Sequence, residues 1–130
     1  MKNEITKVVG GLIVKDKKIL ICQRSKDGQH PLKWEFPGGK IEENETEEHS
    51  IKREIKEELN IEIELISRLT PVTFKYPNFE INLIPFIATY LKGEIVLFEH
   101  KQYKWLLKDE LKKLDWAAAD IPILKEYVRI

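Results

Sequence analysis

Residues 39–61 read GKIEENETEEHSIKREIKEELNI. Gly39 is followed after five residues by Glu45, and after seven more by Arg53 and Glu54; Ile55, Glu57, Glu58 and Ile61 complete the pattern. The central part predicts a helix over residues 47–59. Thr46 is a good hydroxyl N-cap, and Glu47 and Glu48 meet the positive end of the helix dipole. Asn60 suits the left-handed conformation that closes a helix. At about 100° per residue, Glu54, Glu57 and Glu58 share one flank, and Ile51 and Ile55 point to the adjacent face, where they can bury against a sheet.

Residues 42–58 hold eight glutamates against Lys52, Arg53 and Lys56. Most acidic runs are solvated helix faces, but here three carboxylates sit within one and a half turns beside a buried edge. Such neighbours repel unless basic groups or a cation neutralise them. Hard, oxygen-only ligands suit Mg²⁺, with Mn²⁺ as a substitute, and the lack of His or Cys in the cluster argues against zinc. Arg53 can hold a carboxylate through a bidentate hydrogen bond, and Gly38 and Gly39 permit a tight loop ahead of the helix.

Outward from the helix, residues 5–15 and 18–24 read as strands joined by a polar turn, residues 25–33 as a loop, and 34–36 as a short extended piece ended by Pro37, Gly38 and Gly39. Residues 61–76 and 80–90 read as long strands joined at 77–79, and 94–98 and 103–107 as further strands. A short helix is expected over 108–114, a loop over 117–119 and a terminal helix over 121–128, started by Asp120 and Pro122. This order predicts an α+β fold, a central mixed β-sheet covered by helices, in a single domain over 1–130.

The chain of 130 residues is 42% hydrophobic, with 22 basic and 22 acidic residues and one cysteine. Zero formal charge disfavours a generic binder of nucleic acid polymer. No apolar run reaches the roughly 18–20 residues that span a bilayer. The stretch 1–7 is charged, and the short apolar stretch 8–14, broken by Gly10 and Gly11, reads as a strand rather than a secretory segment. No internal disulfide is possible, Cys22 reads as core, and a cytoplasmic location is expected.

The offsets in residues 39–61 resemble the Nudix box, G-x5-E-x7-R-E-U-x-E-E-x-G-U with U aliphatic, the signature of Mg-dependent hydrolases that cut diphosphate linkages. Asn60, where the pattern has Gly, is the one departure, a mild one given its fitness for the same cap. Residues 34–42, WEFPGGKIE, look like the lead-in of the MutT-like branch, the nucleoside triphosphate pyrophosphohydrolases. The resemblance implies a Nudix-type α/β/α sandwich. It implies Glu54, Glu57 and Glu58 as metal ligands, the Gly38 carbonyl as an additional one, Arg53 as the orienting residue and Glu45 as a loop stabiliser. Glu99, in a stretch resembling the family's glutamate-bearing loop, is a candidate ligand or general base, or an exposed loop residue. Arg24 is a candidate for the substrate phosphates, or a surface cation.

Asp120 is placed where the branch reads the base, and it equally suits capping the last helix; if ionised, it only accepts hydrogen bonds. Phe36 and Tyr76 are candidate substrate contacts, and Trp34, Phe74 and Phe79 are further aromatics for a base pocket or for packing. His30, His49 and His100 show no ligand spacing and receive no catalytic role. The resemblance implies a small-molecule nucleotide substrate, 8-oxo-dGTP or a CTP/dCTP-type nucleotide, cut to monophosphate and pyrophosphate by a monomer or homodimer. A dinucleoside polyphosphate or nucleotide-sugar hydrolase is the alternative, then a non-catalytic nucleotide-binding module.

Overall fold

The computed structural model describes residues 4–130; residues 1–3, the start of the charged stretch 1–7, lie outside the described residues. Strand β1, Ile5–Lys15, and β2, Lys18–Gln23, form a hairpin. Its two turn residues, Asp16 (φ 52°) and Lys17 (φ 69°), are both left-handed, the geometry that matches the twist of paired strands. Strands β3, Trp34–Glu35, and β4, Gly38–Lys40, precede helix α1, Glu47–Leu59. Then come β5, Glu62–Arg68; β6, Val72–Lys75; β7, Glu80–Lys92; and β8, Gln102–Leu106. Two 3₁₀ segments, Lys108–Lys113 and Ala118–Asp120, lead into helix α2, Ile121–Tyr127.

The sheet is mixed. β1 runs parallel to β7 over ten residue pairs, from Ile5 with Glu80 to Val14 with Thr89. The pairings of β2 with β1, β3 and β8, of β4 with β1, and of β5 and β6 with β7 are antiparallel. Alternation along the strands gives the sheet two apolar faces. Val9, Ile13, Leu20 and Cys22 pack on one side with Ile51, Ile55 and Leu59 of α1. Leu12, Ile19 and Ile21 pack on the other with Leu111, Trp116, Ile123 and Leu124. The result is the expected α/β/α sandwich, and the expected mixed sheet with helices on both faces is present.

Four local expectations are corrected. Residues 38–40 form a strand rather than a break, because Gly38 lies so close to β1 that a Cβ there would overlap the Val9 carbonyl oxygen. The single strand expected over 61–76 is two. β5 pairs with residues 86–92 of β7 and β6 with residues 80–83, and the chain turns between them at 69–71, where Leu69 N–H donates to Pro85 O and Pro71 has no N–H to offer. Residues 94–98 form no strand. Their N–H groups go instead to the end of α1: Val96 N–H donates to Leu59 O (3.0 Å) and Phe98 N–H to Glu58 O (3.3 Å), meeting carbonyls that a helix terminus leaves unpaired. The loop expected over 117–119 gives way to a 3₁₀ turn, Ala118–Asp120, while the short helix expected over 108–114 is present as 3₁₀ over 108–113.

Candidate active site

Helix α1 begins and ends as its sequence dictates. Thr46 accepts a hydrogen bond from His49 N–H, and Asn60 is left-handed (φ 62°, ψ 25°) with its N–H donating to Lys56 O. Three isoleucine and leucine side chains bury one face, which fixes the rotation of the acidic flank. Arg53 is the hub of that flank. It grips Glu45 in a fork, Nε to Oε2 at 2.6 Å and Nη2 to Oε1 at 2.9 Å. Its Nη1 donates to Glu54 Oε1 (2.8 Å) and Glu57 Oε2 (3.1 Å), and Nη2 also reaches Lys40 O (3.1 Å). Glu45 in turn accepts from Glu42 N–H (2.9 Å). The Arg53 hydrogen bonds hold the Glu45 carboxyl down to about 2. Glu45 thus ties the loop to the helix.

Glu54 and Glu58 face inward, with side chains 14% and 13% exposed, whereas Glu57 is 58% exposed and held on the solvent side by Arg53. Burial, then a hydrogen bond with Glu54 and the charges of Glu54, Glu35 and Glu99, push the Glu58 carboxyl up to about 9. Gly39 closes over the pair, since a Cβ there would overlap the Glu54 carboxylate. Among the described residues, no three carboxylate, imidazole or thiol groups stand close enough to hold an ion as they are. The donor chemistry nevertheless fits a hard divalent cation. All the helix donors are oxygens, and the negative charge of Glu54, Glu35 and Glu99 that adds to burial in raising Glu58 is charge that a cation would offset.

A cavity of about 680 Å³ opens from this flank. Its lining includes Gly38, Glu58 and Glu99, Arg24 and Glu35, and Phe36, Tyr76, Phe79 and Asp120. Arg24 is not a free surface cation. Its Nη1 donates to Glu35 Oε1 (2.7 Å) and its Nε to Gln29 O (2.8 Å). Burial raises the Glu35 carboxyl, but the His100 hydrogen bond and the Arg24 charge outweigh it, and the net shift is downward. Phe36 packs against Trp116 with ring centroids 4.8 Å apart. Tyr76 stands between His30 (4.8 Å) and Phe79 (4.9 Å, stacked). Trp34 is buried in the core.

Asp120 makes no side-chain capping bond to α2 and is 6% exposed. Burial, then the Glu35 charge, push its carboxyl well above the ordinary range, against a Phe36 backbone hydrogen bond that pulls it down. A neutral carboxyl donates one hydrogen bond and accepts others, whereas an ionised one only accepts. Cys22 is buried, and burial pushes its thiol up, as a core residue requires.

Two residues at this site escaped sequence reasoning, Glu35 and His100. Pairing of β2 with β3 sets Glu35 opposite Cys22. Trp34 and Phe36 are buried on the Leu12 face, so Glu35 between them turns to the α1 side; two-residue alternation could have given that. His100 carries no local signal, because its neighbours come from β3 and α1.

A sequence model of the NUDIX domain matches residues 5–127. A protein of Buchnera aphidicola subsp. Schizaphis graminum named 8-oxo-dGTP diphosphatase is 35% identical over 121 residues, 93% of this chain and 92% of that protein. The protein of Escherichia coli K12 named CTP pyrophosphohydrolase is 29% identical over 127 residues, 98% and 94% of the two chains. A solution NMR structure from methicillin-resistant Staphylococcus aureus 252, titled DNA mismatch repair protein MutT (family Nudix hydrolase), superposes with a TM-score of 0.80 at 39% identity and covers 98% of each chain.

Proposed function

The chain belongs to the Nudix hydrolase family, and from that premise we propose that it hydrolyses a nucleoside triphosphate to the monophosphate and pyrophosphate with Mg²⁺. The observation that carries this reading is the Glu58 carboxyl, buried against Glu54 beside a cavity that reaches from Arg24 to Asp120.

Glu54, Glu57 and Glu58 would hold Mg²⁺, with the Gly38 carbonyl and Glu99 as further ligands. When bound, the ion supplies charge neutralisation at the phosphates and a lowered pKa for water. Arg53 keeps Glu54 oriented. Glu57, held on the solvent side by Arg53 in this structure, would have to rotate inward to join the ion. Arg24, braced by Glu35, presents its guanidinium to the phosphate tail. Glu54 or Glu99 takes the proton from the attacking water. The new O–P bond forms at the β phosphorus, and the bond from that phosphorus to the α–β bridging oxygen breaks. The bridging oxygen leaves with the monophosphate, so label from H₂¹⁸O enters pyrophosphate.

Tyr76, Phe79 and Phe36 wall the base. Burial pushes the Asp120 carboxyl up, and in its neutral form it would offer one donor and one acceptor. That suits a base edge carrying both, as 8-oxoguanine and cytosine do. The names of the relatives support both 8-oxo-dGTP and CTP-type substrates, with more of them named for 8-oxo-dGTP. The test is pyrophosphate release from a panel including 8-oxo-dGTP, CTP, dCTP and 5-methyl-dCTP, with and without Mg²⁺, for the wild type and Glu57→Gln. Mg-dependent release that Glu57→Gln abolishes supports the reading; release unchanged by that substitution overturns it.

A further inference from the structure

His100 is among the most enclosed polar side chains at the site, 6% exposed. Its Nε2 lies 2.9 Å from Glu35 Oε2. Its Nδ1 is buried and has no hydrogen-bond partner. That nitrogen faces Glu58, whose Oε2 is 3.8 Å away. A buried nitrogen without a partner is costly, and such orphans concentrate where a group awaits a ligand or a rearrangement. A shift of about 1 Å in the Glu58 carboxyl would bring the two within hydrogen-bonding range, with the proton of the bond supplied by either the ring or the carboxyl.

The partners make a chain along the cavity lining. Arg24 donates to one oxygen of Glu35, His100 sits on the other, and the far side of the ring meets Glu58. Ionised Glu35 only accepts, so Nε2 carries a proton. His100 therefore bonds a carboxylate that braces the phosphate arginine and stands 3.8 Å from a carboxylate of the helix cluster. The loop that bears it is fastened at both ends. Asn60 Nδ2 donates to Glu94 O (3.3 Å), Val96 and Phe98 N–H groups donate to the end of α1, and Lys101 N–H donates to Gln23 O (2.9 Å). Asn60, the departure from the box pattern, thus adds a side-chain tether that glycine would lack. Glu99 lies within this fastened loop, next to His100.

We propose that His100 is a positioning residue: it locks Glu35 against Arg24 and holds Glu58, together with the neighbouring Glu99, in place for the divalent ion. This rests on the metal-site reading given above. An outer partner of this kind, when removed, costs about 10–100-fold in metal affinity or activity.

The test compares His100→Ala and His100→Gln with the wild type by Mn²⁺ titration in electron paramagnetic resonance, by kcat and KM, and by thermal midpoint. His100→Ala is expected to weaken Mn²⁺ binding and lower kcat by about 10–100-fold, with a smaller change in KM. His100→Gln is expected to recover most of both, because its amide N–H reaches Glu35 from nearly the same point. A merely structural histidine would lower the thermal midpoint and leave Mn²⁺ affinity, measured below both midpoints, within twofold of wild type on the order of experimental scatter; that result overturns the proposal. Should the variants not fold, a crystal structure of the wild type with Mn²⁺ and a non-hydrolysable triphosphate decides. His100 bonded to both Glu35 and Glu58 supports the proposal, and a ring turned from either overturns it. A wild type that binds Mn²⁺ but cleaves no nucleotide would sink the functional reading and leave the Mn²⁺ comparison of the His100 variants intact.

Discussion

Replacing Glu58 by Gln in the metal-free protein should increase its stability at alkaline pH. The folded protein raises the Glu58 carboxyl from 4.5 to about 9 through burial and the neighbouring Glu54, Glu35 and Glu99. A folded pKa above the unfolded one gives a contribution that is complete below about pH 4.5 and is lost as pH rises towards 9. Between pH 5 and 8 the loss is at most about 4 kcal/mol at 1.36 kcal/mol per unit, and about 2 kcal/mol where Glu54 carries half of the proton's interaction. The assay is urea unfolding in EDTA at pH 5 and pH 8. Wild-type stability should fall by about 2–4 kcal/mol across that window, and Glu58→Gln, which does not titrate, should lose that much less. Mg²⁺ at a hundred times its Kd should return about 2.7 kcal/mol to the wild type at pH 8, and much less to the variant. Parallel pH profiles for the two proteins, with and without Mg²⁺, would refute the reasoning.

Gly38→Ala should cost about 3 kcal/mol or more, because the new methyl overlaps a backbone oxygen of β1 that has no room to withdraw; the thermal midpoint measures it. Arg24→Ala removes a charge-assisted bond to Glu35 as well as the phosphate contact, so kcat/KM on the best triphosphate should fall about tenfold to a hundredfold. On the acid side, Glu45 has a folded pKa of about 2, below its unfolded value, so its contribution is present above about pH 4.5 and lost as pH falls towards 2. Glu45→Gln should therefore narrow the stability difference between pH 6 and pH 3, as followed by circular dichroism.

Local signals carried most of the fold. The hairpin of β1 and β2 and the limits of α1 were legible because turn chemistry, caps and periodicity all act within a few residues. The break between β5 and β6 was not, since it depends on both pairing along one long partner, β7. Residues 94–98 look like a strand in composition, but the free carbonyls at the end of α1 claim their N–H groups. At the site, the spacing of Glu54, Glu57 and Glu58 was readable from helix geometry. It did not reveal that Arg53 draws Glu57 to the solvent side, nor that burial pushes the Asp120 carboxyl up. His100 was invisible because its meaning comes from Glu35 and Glu58, 65 and 42 positions away.

The most direct measurement is anomalous scattering from crystals grown with Mn²⁺ and a non-hydrolysable nucleoside triphosphate. A Mn²⁺ peak held jointly by Glu54, Glu57 and Glu58 and by phosphate oxygens, with Arg53 still forked on Glu45, is the predicted result. A nucleotide bound in the cavity with no ion among those carboxylates, or an ion elsewhere, would contradict the account.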